Sequence, residues 1–243
     1  MKFLNFRTLF SVLVMQIMLS TVYSSILLEK YIYTVKIKNL NVGQSTLKIF
    51  EKTINDKTVH QIYAETKTKK IMDVLYKIRD NIILTVDPYD YSLLKSVKEI
   101  RQGRHRDNFI SEINYDSLKI YHNNSEISIP SKFISAANKI FDPLSIEFNL
   151  QKQNFNDRKL FTYLSYNKDE IKNLDIELVG LELVKAPYGN FECYILEPNS
   201  ESKNNNNLKI WFSNDEYQLP IKIEKISKHG TLTLLLSKYQ SYE

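Results

Sequence analysis

Along Glu29–Asn39 the chain alternates, with Tyr31, Tyr33, Val35 and Ile37 on one side and Lys30, Thr34, Lys36 and Lys38 on the other. A two-residue period with a polar far side predicts a half-buried antiparallel strand. Asn41-Val42-Gly43 reads as a break, after which Ser45–Lys52 and Lys57–Glu65 predict the next two strands of a meander. Asn81–Asp87, Leu93–Arg101, Arg104–Asn114 and Leu118–Pro130 continue the series, separated by Pro, Gly, Asn or Asp. The C-terminal third adds Leu160–Tyr166, Leu174–Lys185, Asn190–Glu197, Leu208–Phe212, Leu219–Ile226 and Thr231–Lys238. Pro187-Tyr188-Gly189-Asn190 and Lys228-His229-Gly230 are turn signals between them.

Three segments carry a helical period instead. Ile71, Val74, Leu75 and Ile78 sit at i, i+3, i+4 and i+7 and predict one apolar stripe. Asp142-Pro143 predicts an N-cap followed by proline at the first helical position, where its missing N–H costs nothing. The helix it opens covers Leu144–Lys152. Ser131–Ile140 is the third, with Phe133, Ala136, Ala137 and Ile140 on one face. The expected fold is mainly β: a single curved antiparallel sheet, a half-barrel or partly closed barrel, with two or three short helices. No internal repeat and no long Pro/Gly/Ser linker divides the chain. Asn199–Asn207 reads as a hairpin loop.

The N-terminus follows a different pattern. Lys2 and Arg7 precede 21 uncharged residues, Thr8–Leu28, with the densest apolar run at Leu9–Leu19. A basic start, a short apolar stretch and a small-residue end describe a secretory signal peptide, with Val22-Tyr23-Ser24 at the cleavage point. An uncleaved anchor is the alternative, but Gln16, Ser20, Thr21, Ser24 and Ser25 make the stretch unevenly apolar. The domain organisation expected is therefore a signal at 1–24 and one β-rich domain at 25–243, exported to the periplasm or cell envelope.

Composition changes the picture only where it excludes. Of 243 residues 43% are hydrophobic, enough for one full core. One cysteine excludes a disulfide framework and any Cys-rich metal site. The formal charge is +5; with the signal removed, Lys2 and Arg7 leave, 33 basic residues become 31 against 28 acidic, and +3 remains. That is no nucleic-acid footprint.

Five glycines do not build a phosphate loop, and neither a nucleophile elbow nor a His-Glu-x-x-His helix is present. His60, His105, His122 and His229 are isolated, which is ordinary for surface histidines, and Cys193 lies on an apolar strand as a small buried hydrophobe. No catalytic residue, metal ligand or cofactor is assigned, and the chain reads as non-enzymatic. An enzyme would need histidine and carboxylate side chains converging in one cleft.

Lys98, Arg101, Arg104, His105 and Arg106 form the densest basic cluster, suited to anionic lipid headgroups, phosphorylated glycolipids or acidic polysaccharide. Glu99 and Asp107 beside it equally suit a solvated turn. The 16 Tyr, 12 Phe and single Trp serve a core first, and a ligand cavity if a curved sheet leaves one open. The side chains expected to line such a cavity are Tyr31, Tyr33, Val35, Phe148 and Trp211.

A resemblance runs along nearly the whole mature chain. It is carried by Glu29-Lys30-Tyr31, Asn41-Val42-Gly43, Leu75-Tyr76-Lys77-Ile78-Arg79-Asp80 leading to Val86-Asp87, and Gly103 with the basic strand to Asp116. Phe141-Asp142-Pro143-Leu144-Ser145, Gly189-Asn190-Phe191-Glu192-Cys193 and Ile210-Trp211-Phe212-Ser213-Asn214-Asp215 with Pro220 complete it. These segments resemble the bacterial exported-protein family called domain of unknown function 3108, with the Trp-x-Ser-x-Asp piece the most specific. Gln102, where an acidic residue usually precedes the glycine, departs from it. The resemblance implies a periplasmic or surface location and a curved antiparallel sheet like the half-barrels of lipoprotein carriers. It supplies no catalytic residues.

Two functions are compatible with this reading. One is a non-enzymatic envelope protein binding a lipid or other apolar or amphipathic molecule in the concavity of the sheet. The other is a structural or protein-interaction module with a packed interior. The expected partners are a lipid or lipidated protein and other envelope proteins, with no nucleic acid, and a membrane met only peripherally or through an uncleaved signal. N-terminal sequencing of the exported protein should begin near Ser25; an intact Met1 would overturn the signal assignment.

Overall fold

The computed structural model describes residues 25–74, 76–123, 125–129, 139–168, 170–199, 207–227 and 230–242. The signal segment 1–24, residues 131–138 of the third helix candidate, most of the Asn-rich stretch and the turn at 228–229 lie outside them.

Within the described residues fifteen strands form one sheet. They are β1 (Ser25–Ile37), β2 (Leu40–Ile54), β3 (Lys57–Thr68), β4 (Arg79–Val86), β5 (Leu93–Gln102), β6 (His105–Asn114), β7 (Lys119–His122) and β8 (Ser125–Ser128). Then come β9 (Ile140–Phe141), β10 (Leu160–Asn167), β11 (Glu170–Ala186), β12 (Gly189–Pro198), β13 (Asn207–Ser213), β14 (Pro220–Ser227) and β15 (Gly230–Ser241). Their spatial order is β8-β7-β6-β5-β4-β3-β2-β1-β15-β14-β13-β12-β11-β10-β9. Two meanders run outward from the β1–β15 pair; every pairing is antiparallel except the short parallel one between β9 and β10.

Turn chemistry fixes the registers. Lys38 and Asn39 between β1 and β2 have φ of 47° and 65°, and Asn55 and Asp56 between β2 and β3 have 51° and 60°. Two successive positive φ values make the hairpin turn whose twist matches its strands, and Asn and Asp tolerate them best. The break expected at Asn41-Val42-Gly43 is therefore not a turn: β2 runs through it. Gly43 serves close approach instead, since a Cβ there would stand 2.3 Å from the Lys67 carbonyl oxygen. The expected strand Leu118–Pro130 divides into the β7–β8 hairpin.

Register shifts in the β1–β2, β1–β15, β4–β5, β11–β12 and β13–β14 pairs bend the sheet. It curves without closing, because β8 and β9 remain edges. Side chains cross where the backbone does not. Buried Lys98 of β5 pairs with buried Asp142 and donates to Asn167 of β10 at 3.4 Å. The Ser111 hydroxyl of β6 lies 3.1 Å from the Tyr166 phenol of β10. The Tyr115 phenol donates to the carbonyls of Leu93 and Ile140 at 2.9 and 3.3 Å.

The concave side is the core, with Tyr31, Tyr33, Ile49, Ile62, Leu84, Leu93, Phe212 and Leu236 fully buried. One α-helix, α1 (Pro143–Gln151), is present among the described residues, where the Asp142-Pro143 signal predicts it. Ile71–Ile78 does not form the predicted helix. Lys70–Val74 makes one 3-10 turn, and Ile78 bridges to Gln102. Contacts local to the segment's ends outweigh its weak stripe: Thr68 N–H donates to the Ile78 carbonyl at 3.2 Å, and Arg79 grips Asp73 at 2.6 Å. The helical content is thus one helix and one 3-10 turn in the described residues, fewer than the two or three helices expected.

Trp211 lies on β13 between Ile210 and Phe212, so strand alternation puts it on the opposite face from those two core residues. It is nonetheless only 3% exposed. Its indole N–H donates to Glu182 at 3.1 Å, and the Lys222 ammonium sits 3.9 Å over the ring. Trp211→Ala should lower unfolding free energy by about 3–5 kcal/mol, read from denaturant midpoints. A variant that unfolds like the parent would remove Trp211 from the structural framework.

Candidate functional site

Helix α1 occupies the concavity, where a ligand would have to sit. Its start is built by the sequence: Asp142 accepts from the Leu144 N–H at 3.0 Å, and the Ser145 hydroxyl accepts from the Asp142 N–H at 3.1 Å. That pairing is a capping box. Its other end meets the β13–β14 turn, where Gln218 donates to the carbonyls of Gln151 and Gln153 at 2.7 and 2.8 Å. Asn149 spans the middle, donating to the Asp90 carbonyl and accepting from the Tyr163 phenol, both at 2.7 Å.

Four of the five expected lining residues gather here. Tyr31 and Tyr33 stack at 6.5 Å, Phe148 of α1 meets Tyr31 edge-on at 5.9 Å, and Val35 follows on the same face of β1. All are buried. Trp211, on the far face of its strand, does not share that space.

Sequence reasoning missed Glu147. It lies on α1, buried, with Oε1 bonded to nothing among the described residues. Burial alone pushes its carboxyl up to about 8. The signal was available: Glu147 is the one charged residue in Leu144–Leu150, a stretch that otherwise reads as core.

A Ser–His contact does exist at the strand seam. The Ser111 hydroxyl and the Tyr166 phenol lie 2.8 and 2.9 Å from His122 Nδ1. Ser111 and Tyr166 are both buried, so the group ties β6 and β7 to β10 and does not present a nucleophile to solvent. Cys193 is likewise enclosed, its thiol pushed up to about 12 by burial. No cluster of three His, Cys, Asp or Glu positioned for a metal ion occurs among the described residues. No helix among them is long and apolar enough to cross a membrane.

The basic cluster read from the sequence divides in space. Lys98 turns inward to Asp142, whereas Arg101 and Arg106 remain at the surface. The Ile78–Gln102 bridge brings Lys77 and Arg79 up beside them, and the four cations line a small pocket of about 120 Å³. More than twenty positions separate the two halves in sequence, so only the β3–β4 connection folding back onto the β5–β6 turn unites them. Along the same rim a more open groove of about 460 Å³ runs past Ile32, Thr34, Lys69, Lys70 and Arg79.

The model of the family described as "Protein of unknown function (DUF3108)" matches residues 32–237, and the chain belongs to that family. Among solved structures it is similar to a crystal structure of a beta-barrel-like protein of domain of unknown function DUF1849 from Brucella abortus. The TM-score is 0.57 at 6% identity, over 90% of this chain and 99% of that one, a likeness of fold alone. No curated protein matches the chain.

The buried carboxyl makes stability pH-dependent. The unfolded chain releases this proton near the ordinary value of 4.5 while the folded chain keeps it to about 8. Between those values the native state binds the extra proton, so the stabilisation is complete below the window and is lost as pH rises through it. Glu147→Gln removes the titration. Its unfolding free energy should gain on the parent's as pH rises from about 4.5 to about 8, by on the order of a few kcal/mol at the top, read from denaturant midpoints at each pH. Parallel curves would show that the carboxyl does not titrate in this environment.

Proposed function

We propose that this member of the DUF3108 family is an exported, non-enzymatic protein of the cell envelope that works as an interaction module through its outer surface, its interior being taken up by its own helix. The observation that carries this reading is the seating of α1, capped by Asp142 and Ser145 at one end and held by Gln218 at the other. Displacing it would expose a buried ion pair between Lys98 and Asp142 and strip partners from buried backbone groups. Export rests on the basic start and apolar run of residues 1–24.

A second reading is favoured by one observation. Oε1 of Glu147 has no partner among the described residues in this aromatic concavity, and an amphipathic ligand with a donor headgroup would satisfy it. In that reading α1 is a plug, and a lipid or lipidated segment takes its place against Tyr31, Tyr33 and Val35.

Native mass spectrometry of gently purified protein, with a fluorescent fatty-acid uptake assay, separates the two. The packed module gives the mass of the bare mature chain and no uptake. A co-purifying lipid, or uptake that Phe148→Trp abolishes, would overturn it in favour of the carrier.

A further inference from the structure

We propose that the rim formed by the 3-10 turn Lys70–Val74 and the pocket of Lys77, Arg79, Arg101 and Arg106 docks the protein onto an anionic phospholipid surface. The proposal rests on the reading that the protein works through its exterior, and it is independent of what the interior holds.

The first observation is apolar. Ile71 and Val74 are 79% and 89% exposed, on a single turn that buries none of its residues. Two branched aliphatic side chains held out together in water gain nothing from the fold. The second is electrostatic. The pocket next to that turn is lined by cations alone, and Arg79 also lines the neighbouring groove with Lys67, Lys69 and Lys70. Nearby carboxylates are already engaged: Asp73 by Arg79, Glu99 by Arg101, and Asp80 by the Arg101 N–H and the Gln102 amide. Among the described residues Arg106 meets only the carbonyls of Gly103 and His105, at 2.8 and 2.7 Å. With Arg79 and Arg101 each paired to a carboxylate, the pocket's surplus positive charge rests on Lys77 and Arg106.

The rim is also held in shape. Gly103, at φ 58°, donates its N–H to the Lys77 carbonyl at 2.8 Å. Any side chain there would strike the Tyr76 ring, since a Cβ would lie 2.8 Å from Tyr76 Cε2. Arg79 joins the turn to β4 through Asp73 and donates to the Thr68 hydroxyl at 3.0 Å. Cations are thus fixed beside aliphatic side chains. That pairing matches the boundary of a bilayer, where phosphates lie a few ångströms above the acyl chains. A soluble polyanion would use the cations and leave Ile71 and Val74 wet.

The test is flotation of the full mature chain with vesicles of phosphatidylcholine, with and without phosphatidylglycerol, at low and raised salt. Binding should require phosphatidylglycerol and weaken with salt. Arg101→Ala and Arg106→Ala should each weaken it about fivefold, as expected for one cation near an anionic surface. Ile71→Asp with Val74→Asp should abolish it, and since all four side chains are exposed, melting temperatures should stay at the parent's value. Calorimetric titration with inorganic phosphate forms the second arm. No binding to phosphatidylglycerol vesicles overturns the proposal. So does vesicle binding indifferent to either pair of substitutions, or a phosphate response with no vesicle binding, which would make the pocket a site for soluble anions. A lipid found inside the protein would refute the packed interior and leave this result standing.

Discussion

A helix packed into an unclosed barrel must find partners for its end groups, above all at its buried start, and much of this structure follows from that constraint. The first N–H groups and last carbonyls of any helix lack internal partners, and leaving them bare in a low-dielectric interior costs several kcal/mol. Here Asp142 and Ser145 close the first end and Gln218 the second. Lys98 then answers the Asp142 carboxylate, and the Asp215 side chain builds the turn that delivers Gln218 by accepting from the N–H groups of Tyr217 and Gln218 at 3.0 and 3.1 Å. The two segments that most distinguish the family resemblance, Asp142-Pro143-Leu144-Ser145 and Trp211 to Asp215, stand at the two ends of α1. Their shared role is structural: they hold a helix against a curved sheet.

That arrangement also explains how the sheet stays bent without closing. Lys98, Tyr166 and Tyr115 act across the gap between β5–β6 and β9–β10, and Asn149 ties the helix to the β4–β5 connection and to β10. Side-chain bridges, rather than a ladder of backbone hydrogen bonds, span this gap.

The strands were legible because one of their faces is wet: the alternation of Tyr31, Tyr33 and Val35 against Lys30, Thr34 and Lys36 reports a physical asymmetry. The start of α1 was legible because a cap and a proline act locally. What could not be read depended on distant partners. Nothing within Ile71–Ile78 reveals that Thr68, Asp73 and Arg79 will bind one another and hold the segment as a turn. Nothing near Arg101 announces Lys77. An aromatic side chain such as Trp211 marks burial without saying on which face, and here Lys222, Lys209 and Glu182 surround its ring. The turn residues Lys38 and Asn39 were passed over in favour of a glycine whose real task is close packing against β3.

Among the places that break the ordinary sorting of polar from apolar are Glu147, buried with Oε1 unbonded, and Ile71 with Val74, which stand in solvent. Local and global preferences agree nearly everywhere else in this chain, and departures from such agreement concentrate where a protein does its work. The two differ in kind. Glu147 belongs to a helix fixed at both ends, so any use of its carboxyl must first break the capping box, the Lys98–Asp142 pair and the Gln218 bonds. Ile71 and Val74 ask for no rearrangement, since they already stand in solvent on a braced turn beside fixed positive charge. A surface that needs no conformational change to engage is available at every encounter, whereas an interior sealed this way opens only rarely. On energetic grounds the outer rim is the more accessible of the two.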